Sequence, residues 1–249
     1  MTQESHDPSR NLLLAALPSS ELQPLLSRGQ FVELKDKQII YEQEARVESV
    51  YFPLTGAVSL LTRMGDGNAV EAAVVGKQGF VGAPVLFNAD TSFAEALVQV
   101  PGSALKLSAA AFLDTAAPLL FKLVLRYTQF LLKEVFVSNG CNRFHTVEQR
   151  IGRWLLAHRV RTYKQTFPFT HEFLAYLLGA QRSTVTEITG ELQKRGLIRY
   201  TYGEMTIVNQ AGLEAAACEC FGKVRQELDA LSAYVERHAA SHPTGAPFR

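Results

Sequence analysis

Two groups of residues in this chain have types and spacing that could do chemistry. The first lies between Thr170 and Ile188. Ala175 is small enough to let two helices cross closely, and Gly179, four residues on, tolerates the positive φ of a tight turn. Leu174 and Leu178 before the turn, and Val185 and Ile188 after it, give both helices one apolar inner face. Thr170 is a good N-cap, and Glu172 sits where a helix N-terminus favours negative charge. A helix-turn-helix is therefore predicted, with Gln181, Arg182, Ser183, Thr186 and Glu187 on the outward side of its second helix. Arginine can grip guanine O6 and N7 together, and glutamate can accept from cytosine N4. Lys194, Arg195 and Arg199, with Thr170, His171 and Thr184, suit phosphate contacts. An ordinary helical hairpin packed in a core would share much of this spacing.

The second group is Cys141 and His145, four apart on a predicted helix, and Cys218-x-Cys220 far along the chain. Three thiolates and an imidazole suit tetrahedral zinc, and thiols can also sense oxidation. Spacing alone does not bring the two segments together, and buried free cysteines are the plainer reading. No other cofactor is expected.

Charge distribution favours the first group. The formal net charge is only +1, yet residues 143–200 hold 10 of the 25 Lys+Arg and 4 of the 24 Asp+Glu. The flanking parts are both net negative. A basic segment tethered to an acidic one fits a phosphate-binding module, although a solvated basic face would look the same. At 249 residues the chain is long enough for two domains, and 47% hydrophobic content supplies their cores. The polar first ten residues lack the apolar stretch of a secretory signal, and no apolar run approaches the ~20 residues of a membrane span. Three cysteines make no disulfide framework. A cytoplasmic protein that does not engage a membrane is expected.

These residues need elements to position them. Residues 11–29 read as helical, with a break at Pro18. From residue 30 to 107, short runs rich in Val, Phe, Tyr and Leu alternate with turn signals at Pro53, Gly56, Gly65-Asp66-Gly67-Asn68, Gly76, Gly79, Gly82 and Pro101-Gly102. Many short strands at this spacing predict a barrel or sandwich, with a hairpin at Gly65–Asn68. Pro118 starts a long helix with two apolar stripes. One is Leu120, Leu123, Tyr127, Phe130 and Val137; the other is Phe121, Leu125, Leu132 and Val135. Two stripes predict two neighbours, the β domain and a partner helix in a homodimer. After the helix pair, residues 199–202 and 205–208 around Gly203-Glu204 read as a two-stranded wing, and a last helix is expected from about Gly212 to Arg237. The expected domains are 1–108 (β domain with N-terminal helices), 109–143 (connecting helix), 144–210 (DNA binding), 211–238 (C-terminal helix) and 239–249 (disordered tail).

This layout resembles the catabolite-activator/fumarate-nitrate-regulator (Crp/Fnr) family, most specifically over residues 174–198. Gly179-x-x-Arg182-x-Thr184-Val185 matches the start of the family's recognition helix, so the resemblance gives Arg182 the base-reading role. Ser183 and Glu187 stand where the best-known member has glutamate and arginine, so the target sequence should differ. The resemblance implies an α+β fold: a cyclic-nucleotide-binding-like β-roll (jelly roll), a long dimerisation helix and a C-terminal winged helix-turn-helix. It implies double-stranded DNA and RNA polymerase as partners, a homodimer on a pseudo-palindromic operator, and no enzymatic activity. The sensory domain departs from the cyclic-nucleotide members, whose phosphate cassette has Gly-Glu-Leu followed further on by Arg-Ser. Here the matching stretch is Gly79–Val85 and then Thr91–Ala94; Ala83 cannot hold a ribose hydroxyl, and no arginine lies between Arg63 and Arg126. A cyclic phosphate buried without a cation is costly, so cyclic AMP is not expected to bind. Phe80, Val81, Gly82, Ala83 and Ser92 remain candidates to line a pocket for another ligand. No cysteine precedes Cys141 to build an N-terminal iron–sulfur site, and no histidine lies between His6 and His145 to hold haem. The rival reading is a β-barrel small-molecule-binding protein or enzyme whose C-terminal helices are purely structural. A metal enzyme of that kind would need several histidines in the barrel, and Gly76, Gly79 and Gly82 read as β-turns rather than a phosphate cradle.

Overall fold

The computed structural model describes residues 6–89 and 91–240. Asn11 fixes the start of the fold. Its fully buried side chain caps α1 (Leu12–Ala15) by accepting from the Leu13 and Leu14 N–H groups, and donates to the Pro53 and Gly79 carbonyls. Pro18 then breaks the chain before α2 (Ser19–Arg28).

Five antiparallel strands follow: β1 (Gln30–Leu34), β2 (Ile39–Tyr41), β3 (Ser49–Arg63), β4 (Ala69–Val75) and β5 (Glu95–Ser108). They are ordered β1-β5-β3-β4, with β2 also paired to β5. The hairpin at Gly65–Asn68 forms as expected, closed by Met64 N–H to the Asn68 carbonyl with Gly67 at φ 86°. The turns expected at Pro53, Gly56 and Pro101-Gly102 do not form; β3 and β5 run straight through them. These residues make bulges instead, where the register shifts between Pro53 and Val58. Gly56 (φ 80°) and Gly102 lie so close to the Val100 and Thr55 carbonyls that a Cβ at either would clash, so the two strands bend together there.

The interior is aromatic. Phe52, Phe80, Phe112 and Tyr127 are almost fully buried, with neighbouring ring centroids 5.7–6.4 Å apart. The candidate ligand-pocket residues lie in this packed region. Phe80 is in the ring cluster, Val81 exchanges backbone hydrogen bonds with Tyr51, Gly82 presses on Val50, Ala83 is buried, and buried Ser92 donates to the Ala94 carbonyl. Gly79 is a close-approach glycine: a Cβ there would overlap the Tyr127 ring.

Ser108 caps α3 (Ala109–Thr115), and Pro118 starts α4 (Pro118–Phe144). One side of α4, including Leu120, Leu123, Tyr127 and Phe130, is buried; Leu125, Leu132 and Phe136 are 51%, 50% and 73% exposed. A capping box at Thr146 and Gln149 then opens α5 (Val147–Thr162). Beyond it come β6 (Thr166–Phe167), α6 (His171–Leu178), α7 (Arg182–Lys194), β7 (Ile198–Thr201) and β8 (Glu204–Ile207). β7 and β8 form the expected wing, turning at Tyr202 (φ 51°) and Gly203 (φ 81°), and β6 adds a third strand in the order β6-β8-β7.

The expected single last helix is two helices, α8 (Gln210–Ala216) and α9 (Cys220–Ala240). The break is set by their partners. α8 packs on α5, where Gly152 lets Ala217 approach, while α9 turns to lie along α4. Val224, Leu228, Leu231 and Val235 are buried on α9, and Glu227 pairs with Arg126 (2.8 Å) and Lys133 (2.7 Å) of α4. Ala239 and Ala240, expected to begin the tail, are helical; 241–249 lie outside the described residues.

Candidate DNA-recognition surface

The helix pair is built as local chemistry dictates. The Thr170 hydroxyl accepts from the Phe173 N–H and caps α6. Gly179 ends α6 at φ 57°, and its N–H and that of Ala180 close on carbonyls of the last turn. Leu174, Ala175, Leu177, Leu178, Val185, Thr189 and Leu192 are buried between the helices and α5. Arg150 on α5 donates to the Leu178 carbonyl, tying the turn to the helix beneath it.

On the far side of α7, Gln181, Arg182, Ser183, Thr186 and Glu187 are all exposed. Five candidate base-reading side chains thus stand on one solvent-facing surface, at the helix N-terminus. The phosphate candidates divide. Arg199 is exposed on β7, at the root of the wing, and Thr184 is half-buried. Lys194 pairs with Glu191 at 2.7 Å and Arg195 with Glu148 at 2.6 Å. Both pairs are exposed, so each is weak enough to exchange for a phosphate. Thr170 is engaged as a cap. His171 braces the surface. Its ring stacks on Tyr200 of the wing at 4.1 Å, and its two nitrogens lie 3.1 Å from the Thr186 and Thr189 hydroxyls of α7. Burial, with Arg182 adding repulsion, lowers its pKa and keeps the imidazole neutral near pH 7.

A second polar constellation was not anticipated from the sequence. Where α5 meets the β-roll, Ser59 donates to Glu71 (2.7 Å), Gln99 donates to the same carboxylate oxygen (3.2 Å), and the Gln99 carbonyl oxygen meets His158 Nε2. His158 Nδ1 lies 3.1 Å from the Trp154 carbonyl. Burial raises Glu71 to about 7 and lowers His158 to about 3. Beside them Arg161 of α5 pairs with Glu134 of α4 at 2.9 Å and donates to the Val74 carbonyl. The available signal was parity: Glu71 falls on the inward side of β4, between Ala69 and Ala73.

The cysteines and histidine do meet. Cys141 and His145 end α4, and Cys218 and Cys220 flank the start of α9. Cys141 Sγ lies 3.5 Å from Cys218 Sγ, and Cys220 Sγ lies 3.6 Å from His145 Nδ1. The four potential ligand atoms are all within 4.8 Å of one another, and the three cysteines are buried. The hydrogen bond shared by Cys141 and Cys218 favours ionisation of one thiol at the expense of the other.

Comparison with known proteins agrees with this geometry. Residues 31–117 match the cyclic nucleotide-binding domain family, and residues 149–216 match the Crp-like helix-turn-helix domain family. The transcriptional regulator SdrP of Thermus thermophilus is 29% identical over 179 residues, covering 68% of this chain and 84% of that protein. The fold is similar to that of FixK2 from Bradyrhizobium japonicum, with a TM-score of 0.65 at 16% identity over 76% of this chain and 98% of that one. It is also similar to a Crp/Fnr-family transcriptional regulator from Thermus thermophilus, with a TM-score of 0.62 at 24% identity over 76% and 98%. A roll of the first type, a long helix and a helix-turn-helix of the second type in one chain make this protein a member of the Crp/Fnr family of transcription regulators, with a DNA-binding winged helix-turn-helix.

Proposed function

We propose that the protein acts as a homodimer that binds a pseudo-palindromic operator sequence-specifically and controls transcription in the cytoplasm, with RNA polymerase as a further partner and without catalysis. The observation that carries this reading is the surface of α7. Its inner side is buried against α5 and α6, while Gln181, Arg182, Ser183, Thr186 and Glu187 stand together in solvent. Arg182 is the base reader, and Arg199, with Lys194 and Arg195 released from their exposed partners, follows the phosphates.

The second copy belongs along α4. Leu125, Leu132 and Phe136 lie seven and four residues apart on its uncovered side, the spacing of a helix that packs against its own copy. A two-fold pair then sets two recognition helices one or more helical turns of DNA apart. The roll is the regulatory module. Its signal is not cyclic AMP, because the Gly79–Val85 stretch brings no cation to a phosphate and its side chains are packed in the interior. No described helix is long and apolar enough to cross a membrane.

Selection from random duplex DNA with the purified full-length chain tests the reading. Enrichment of a two-fold-symmetric sequence is expected. Recovery of no common sequence, with binding equally weak to all duplexes, would favour the rival in which the C-terminal helices only pack.

A further inference from the structure

We propose that Cys141, His145, Cys218 and Cys220 form a tetrahedral zinc site that joins the end of the long helix to the start of the C-terminal helix. Two segments 77 residues apart bring three sulfurs and an imidazole nitrogen to one point. A zinc ion about 2.3 Å from sulfur and about 2.0 Å from nitrogen, at tetrahedral angles, spaces its ligand atoms about 3.5–3.8 Å apart. The Cys141–Cys218 separation of 3.5 Å and the Cys220–His145 separation of 3.6 Å are edges of such a tetrahedron. With all four atoms within 4.8 Å there is room for one ion, and none for a cluster whose several irons would hold the thiolates further apart.

The surroundings point the same way. His145 turns Nδ1 toward the thiols and Nε2 toward Glu219, whose carboxylate lies 3.1 Å away. This is the arrangement that fixes the tautomer of a metal-bound histidine, with the outer nitrogen donating to a carboxylate. Three thiolates around a dication leave one net negative charge. Arg150 and Arg153 interact electrostatically with the cysteines, and the Nε of each is buried with no hydrogen-bond partner among the described residues. A cavity of about 400 Å³ beside the cluster, lined by Phe136, Phe144 and Lys223 among others, offers an entry path. Zinc enters by displacing the thiol protons to solvent, with no change of oxidation state.

The site lies where it matters to the fold. His145 is the cap residue of α4, and Thr146 already caps α5, the first helix of the DNA-binding unit. An ion here staples that joint to the helix that lies back along α4. The assignment is read from metal content alone, so its failure and the failure of the DNA-binding reading are separable.

The test uses the full-length chain, purified without chelator or a histidine tag. About one zinc per chain is expected by elemental analysis, and cobalt in its place should give the absorption of a tetrahedral thiolate complex. Cys218→Ser and Cys220→Ser should each lose the ion. His145→Cys should keep it with stronger thiolate-to-cobalt absorption, and Glu219→Gln should weaken zinc affinity about 10–100-fold. Circular dichroism checks that each variant folds; if a cysteine variant does not, the unsubstituted chain and His145→Cys still decide the matter. A folded chain that holds no zinc and takes none up would overturn the proposal. So would octahedral cobalt, stoichiometric iron or copper instead, or cysteine variants that keep the same zinc.

Discussion

Two of the helices that pack on the β-roll, α4 and α5, make seams of different chemistry. Against α4 the seam is rings and aliphatic chains: Phe52 and Phe80 of the roll and Phe112 of α3 pack in one cluster with Tyr127 of α4. Against α5 the roll presents Ala57, Leu61, Val74, Leu97 and Val100, which join the cluster around Trp154. Set among them are Ser59, Glu71 and Gln99, which run in a hydrogen-bonded chain to His158, with the Arg161–Glu134 pair alongside. The first seam is held by buried area, which is non-directional and indifferent to pH. The second adds to its buried area a part that depends on the protonation of buried groups and on donors finding their acceptors. The roll is therefore joined to its long helix by packing alone, and to the DNA-binding unit by packing that carries a polar chain which conditions can weaken.

Mutations can break or sharpen this contrast. The largest effect belongs to the apolar seam. Phe112→Ala should cost about 3–5 kcal/mol in urea unfolding, with the same loss at every pH tested. A loss that varied with pH would undo the distinction. Next is Glu71→Gln. The Glu71 carboxyl sits at about 7 when folded, against an ordinary 4.5. Its contribution to stability is thus full below about 4.5 and lost as pH rises through 7. His158 has the opposite slope: depressed to about 3, it withdraws stability as pH falls below about 6.5. Glu71→Gln should stabilise the protein near pH 8 by at most about 3 kcal/mol, and leave the acid limb unchanged. Unfolding midpoints at about pH 5 and pH 8 check this; a variant as pH-dependent as its parent would refute the assignment of that limb.

The recognition surface lies outside both seams, so its variants should leave stability within about 0.5 kcal/mol. Arg182→Ala should cost about 1–3 kcal/mol in operator binding and relax discrimination at one base, measured by gel shift against point-substituted sites. Smallest of all, Arg199→Ala should weaken binding evenly across sequences and reduce the slope of log affinity against log salt by about one unit. If neither substitution changed DNA affinity, α7 would not be the reading helix.

The same contrast explains what could be read from the chain. The helix pair was legible because its logic is local. Ala175, Gly179, Val185 and Ile188 sit within 14 residues, and each does one recognisable job of crossing, turning or packing. The Gly65–Asn68 hairpin and the wing at Gly203 were legible for the same reason. Pro53, Gly56 and Pro101-Gly102 misled because a bulge and a turn use the same residues; only the opposing strand decides between them. The break before α9 has no glycine or proline to mark it, since Ala215-Ala216-Ala217-Cys218-Glu219-Cys220 reads as continuous helix. It arises from packing on two different partners. His171 was expected to reach toward DNA, and it lies between α7 and the wing because Tyr200 and two threonines, all distant in sequence, enclose it. The meeting of Cys141 with Cys218 and of Gln99 with His158 likewise needs contacts that no window of sequence contains.

Gly79 has a mechanical consequence. With no space between this glycine and the phenol of Tyr127, the roll and the long helix mesh like a tooth in its notch. A solute reaching that spot would first have to lift the ring, and with it a stiff rod of 27 residues, about 40 Å from end to end. A slight tilt at the notch would grow along the rod and arrive magnified at the joint where the reading head is hung.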